Sequence, residues 1–115
     1  MNLYTKTALQ LTEAFQRDMD KLNRDLVRIM EAEKLAVAFS AGGVATTACY
    51  SFPHGLSLKA TMPIEVIGDS INTLHKLAAE YGRTLVNERN ARYVLVAADL
   101  REINTSAIEL YVEEI

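Results

Sequence analysis

Cysteine occurs once in this chain of 115 residues, tryptophan not at all, and proline twice. A lone Cys49 excludes an intramolecular disulfide and a cysteine-built zinc site, and nothing in it calls for an oxidising compartment. With five glycines and two prolines there is no low-complexity tract, and a chain that is 50% apolar is not expected to be disordered. No run approaches the roughly 18 consecutive apolar residues of a membrane-spanning helix. The opening Met1-Asn2-Leu3-Tyr4-Thr5-Lys6 lacks the basic start and apolar stretch of a secretion signal. A cytoplasmic protein with no membrane partner is expected. The length suits one α+β domain over residues 1–115.

Charge is scarce where it would be most informative. From Leu35 to Ile64 the only formal charge is Lys59, although 23% of the chain is charged. Residues 1–34 hold six bases and six acids, whereas 99–115 hold Arg101 against five acids, so the net charge of −3 arises at the C-terminal end. Such an acidic end solvates the protein or selects a basic partner, an argument about association and not about fold.

What the sequence does contain is pattern. Between about Tyr4 and Glu33, Leu11, Phe15, Met19, Leu22, Leu26, Ile29 and Met30 recur at steps of three and four with no Gly or Pro between, which predicts one long amphipathic helix. Thirty residues would reach about 45 Å, whereas a compact chain of this size is only about 35 Å across. The helix must therefore bend or overhang, and an overhanging apolar stripe needs a partner. Phe15, Met19, Leu22 and Leu26 are the candidate partner-binding residues, with a second copy of the chain as the first candidate. Ala8, Phe15, Leu22 and Ile29 keep a heptad spacing. Asp18 and Asp25 occupy one set of complementary positions, so a long zipper is not expected.

Leu35 to Ala41 and Val44 to Phe52, rich in small, β-branched and aromatic residues about Gly42-Gly43, read as two strands of a hairpin, apolar on both faces and therefore central, or covered by a helix on one side and a partner on the other. Pro53-His54-Gly55 reads as the next turn. Leu56 to Met62 alternates as a third, half-exposed strand with Ser57, Lys59 and Thr61 on its wet side, ended by Pro63. A second helix is predicted over Ser70 to Tyr81, capped by Asp69 or Ser70, with Ile71, Leu74, Ala78 and Tyr81 buried and Gly82 closing it. Arg83 to Glu88 and Ala91 to Ala98 read as a hairpin turning near Arg89-Asn90. Ile108, Leu110 and Val112 alternate with polar residues as in a strand, although Ser106 with Glu109 could open a helix. The expected fold is α+β: a long N-terminal helix and a second helix on one face of a mostly antiparallel sheet of five or six strands, in the order α-β-β-β-α-β-β-β.

No catalytic, cofactor or metal motif accompanies this pattern. Gly42-Gly43 lacks the spaced glycines and lysine of a phosphate loop. Cys49 with His54 or His75 has the residue types of a thiolate and its base, but no local signature; a small core position explains Cys49 more simply. The two histidines lack close ligand spacing, so no metal is expected. Arg83, Arg89 and Arg92 make a local basic hairpin that could meet a nucleic acid, against an acidic chain. The leading expectation is therefore a non-enzymatic protein-protein interaction module, an adaptor, chaperone or inhibitor of a larger protein, homodimeric through its first helix. The alternatives are a small enzyme or ligand-binding domain with a helix-sheet pocket near Cys49, Tyr50, His54 and His75, and a nucleic-acid module using the basic hairpin.

Overall fold

The computed structural model describes residues 2–51, 55–97 and 107–115. Helix α1 runs over Leu3–Ala41 and helix α2 over Ile67–Glu80, with strands β1 (Ala45–Ser51), β2 (Gly55–Met62), β3 (Arg83–Arg89), β4 (Arg92–Ala97) and β5 (Ile108–Glu114). The strands form one sheet in the order β1-β2-β5-β4-β3. Only β2 and β5 run parallel; β1 with β2, β4 with β5 and β3 with β4 are antiparallel. Among the described residues the fold is thus α+β with five strands, and the last of these is inserted between β2 and β4.

The registry places Thr46, Ala48 and Tyr50 beside Leu56, Leu58, Ala60 and Met62, and these beside Leu110 and Val112. Tyr93 and Leu95 pair with Leu110 and Ile108 from the other side. That inner face meets Ala32, Leu35, Ala36 and Phe39 of α1 and Leu74 and Ala78 of α2 in one apolar cluster. The opposite face carries Ser57, Lys59 and Thr61, as the alternation of β2 requires. Burying each large aliphatic or aromatic side chain of this cluster contributes roughly 1.5 to 3 kcal/mol.

The stretch Leu35–Ala41, expected as a strand, is the last two turns of α1. Leu35, Ala36 and Phe39 are buried together with Ala32 on one helical face. The β-branched Val37 that suggested a strand points outward, 71% exposed, so an apolar residue on the wet side concealed the helical period. Gly42-Gly43 accordingly closes a helix and does not turn a hairpin. The Val44 N–H reaches back to the Phe39 carbonyl at 3.0 Å and the Gly43 N–H to the Ser40 carbonyl at 3.1 Å. Gly43 supplies the left-handed residue, at φ 103°, that such a closure demands. Buried Val44 and Phe39 give the accompanying apolar contact.

Other boundaries move for similar local reasons. β1 is an edge strand and not a central one, its uncharged character reflecting small residues at a margin. Helix α2 starts at Ile67, after a 3-10 turn at Ile64–Val66; Val66 holds the cap position with no side-chain bond. Asp69 and Ser70 lie within the helix, where Asp69 is an acid in the first turn. Tyr81, expected in the core, is 37% exposed, with the Lys34 ammonium 5.6 Å above its ring. Gly82 has the expected positive φ of 70°. His54, Phe52 and the possible Ser106 cap lie outside the described residues, as does Ala98.

Candidate functional site

Helix α1 has 39 residues and at 1.5 Å per residue spans about 58 Å, which sets the 62 Å long axis of the molecule. Its fully buried residues, Ala32 to Phe39, all lie in the C-terminal third. Three polar contacts extend its hold on the sheet by about three further turns. The Tyr50 hydroxyl donates to the Asp25 carboxylate at 2.8 Å, Arg28 donates to the Ala107 carbonyl at 2.6 Å, and the Lys21 ammonium lies 5.8 Å from the Tyr50 ring centre. Residues 3–20 carry the helix roughly 27 Å further. Its start is fixed by Asn2, whose side chain accepts from the Thr5 N–H at 2.8 Å.

Two faces of α1 are apolar, and they are different faces. The sheet takes the side bearing Ala32, Leu35, Ala36 and Phe39, which continues toward the N-terminus as Arg28, Asp25 and Lys21. At 100° per residue, Phe15, Met19, Leu22, Leu26, Met30 and Val37 form a second stripe about a third of a turn away. Phe15 is 66% exposed, Leu26 52% and Met30 61%, while Met19 and Leu22 are half-buried. All four residues marked from spacing thus share one side of the helix. Met30, already part of the apolar pattern read from the sequence but not among its partner-binding candidates, lies on the same side, as does Val37, which that pattern did not include. Toward the C-terminal end the stripe borders a shallow groove of about 560 Å³ between α1 and Tyr81, lined by Met30, Lys34, Val37 and Ala41.

The other candidate groups are dispersed. Cys49 is exposed and its register with Ser57 puts it on the outer sheet face, whereas Tyr50 points inward. His75 is exposed on α2, which packs against the inner face, so the sheet lies between Cys49 and His75. Among the described residues no group of three or more His, Cys, Asp or Glu could hold a metal. Of the arginines, Arg83 lies on the inner face, donating to the Leu95 carbonyl at 3.3 Å and 3.8 Å from Glu31. Arg92 lies on the outer face against Glu88, at 3.1 Å, and Glu109. Arg89 is exposed at the end of β3. The three do not share one surface.

The outer face is largely self-neutralised. Lys59 pairs with Glu113, Arg92 with Glu109, and the Tyr111 hydroxyl donates to Glu109 at 3.0 Å. Two acids of the C-terminal strand are therefore engaged within the molecule. The bond to Glu109 raises the Tyr111 phenol above its ordinary pKa. Partial burial, then the bond to Asp25, raises that of Tyr50. Among the described residues no helix is long and apolar enough to cross a membrane. No family model, curated protein or solved structure matches this chain.

Proposed function

We propose that the protein is a non-enzymatic interaction module of the cytoplasm that self-associates through the stripe Phe15, Met19, Leu22 and Leu26 and serves a larger protein as adaptor, chaperone or inhibitor. The supporting observation is the second apolar face of α1. A helix segment that projects beyond its own sheet contributes nothing to the core, yet keeps large apolar side chains at helical spacing along one side. Association would remove that stripe from water, at about 25 cal/mol per Å² of apolar surface. Among the described residues Cys49 and His75 lie on opposite sides of the sheet and the three arginines do not share one surface, so this reading draws on none of them.

The test is sedimentation over a range from low to high micromolar protein. The native chain is expected to pass from monomer to dimer. Phe15→Asp and Leu22→Asp, each placing a charge in the buried seam, should hold it monomeric with unchanged circular dichroism. A native chain that stays monomeric at high micromolar concentration would contradict the proposal.

A further inference from the structure

From the geometry of α1 we infer that the second copy lies parallel and in register, the two projecting segments forming a short two-helix coil with both sheets at the same end. This rests on the self-association proposed above and adds its orientation. The spacing Ala8, Thr12, Phe15, Met19, Leu22, Leu26 alternates steps of four and three, the repeat of a two-stranded seam. Asp18 and Asp25, which interrupt that seam when the complementary positions are counted three residues after Ala8, Phe15 and Leu22, fall outside it when they are counted four residues after. The structure decides between the two countings at Asp25, which faces the sheet and accepts from the Tyr50 hydroxyl. Ile29 packs against the cluster of its own chain, so the seam open to a partner ends at Leu26, with Ala8, Thr12, Phe15 and Met19 in the projecting segment and Leu22 and Leu26 just beyond it.

The flanks of the seam fix the direction. One flank carries Leu11, Asp18 and Asp25, and the other Gln16, Asn23 and Met30. A parallel pair brings unlike flanks together, so that Asp18 of each copy lies beside Asn23 of the other, an amide able to donate to its carboxylate. An antiparallel pair brings like flanks together and sets Asp18 against Asp18 or Asp25 of the second copy, a repulsion placed beside an apolar seam.

The experiment is single-cysteine crosslinking of the full chain in a Cys49→Ser background, with sedimentation on the same samples. Ala8→Cys and Thr12→Cys sit on the seam, and Glu13→Cys on the far side of the helix reports random collision. In a parallel pair the two seam positions face their own copies within disulfide reach. In an antiparallel pair centred on the seam, the two copies of residue 8 stand about 27 Å apart, against the roughly 7 Å limit for a disulfide. At ~10 µM protein, oxidation of Ala8→Cys and Thr12→Cys is expected to be about a hundredfold faster than that of Glu13→Cys, since pairing raises the effective thiol concentration to about millimolar. Dimers whose seam cysteines crosslink no faster than Glu13→Cys overturn the parallel arrangement and leave self-association standing. Monomers by sedimentation overturn both.

Discussion

Tyr50 is one of the residues through which the sheet holds the middle of α1. Its ring lies on the inner face of β1, and its hydroxyl donates to Asp25, sixteen residues before the helix ends at Ala41. Partial burial and that bond both favour the neutral phenol, so its pKa is raised in the folded state above the value of about 10 found in an unfolded chain. The unfolded state then loses its proton first. The stabilisation is complete below pH about 10 and is lost as the pH climbs through the raised folded value. Tyr50→Phe should accordingly flatten the alkaline limb of stability against pH. Ultraviolet titration of the native protein should show Tyr50 ionising later than the phenol of an unfolded chain, a late component that the variant lacks. An unaltered alkaline limb in Tyr50→Phe would mean that the Asp25 bond does not persist in solution.

At the scale of elements, α1 divides into a part that builds the core and a part that does not, and substitution should separate them. Phe39 is fully buried among Leu35, Val44 and the strands, so Phe39→Ala is expected to cost about 3 to 5 kcal/mol. Leu26→Ala, on the exposed stripe, should change the stability of the dilute monomer by no more than about 0.5 kcal/mol. Urea unfolding at low micromolar concentration measures both, and equal losses would mean that the stripe is part of the fold. The same division explains what was legible. The stripe could be read from spacing because it stands alone against polar neighbours, and β2 because its faces differ. Leu35–Ala41 could not, because Val37 is apolar on the exposed side while Phe39 is apolar on the buried one, and local pattern does not distinguish two apolar faces from a buried strand. The insertion of β5 between β2 and β4 is a long-range pairing that carries no local signal. Asp25 was counted at a complementary position of the heptad for a related reason, since it is Tyr50, 25 residues away, that shows it facing the sheet.

The whole molecule is elongated, with extents of 62 × 35 × 25 Å and a radius of gyration of 17.8 Å, where a compact chain of this length would have about 13 Å. The excess comes from a helix segment that makes no part of the apolar cluster, which begins in α1 at Ala32 apart from the partly buried Ile29. Removing residues 1–18 should therefore leave the melting temperature of the dilute protein within a few degrees of the native one. The concentration dependence of that temperature should separate the two proteins. A native state that dimerises is stabilised by mass action, so its melting temperature rises with protein concentration, by an amount set by concentration relative to Kd. The truncated chain has lost Ala8, Thr12 and Phe15 from the seam and should melt at the same temperature throughout. Calorimetry at two concentrations a hundredfold apart measures this directly. A native melting temperature independent of concentration would show that the projecting helix stands alone, while a truncated chain that fails to fold would show that residues 1–18 support the sheet.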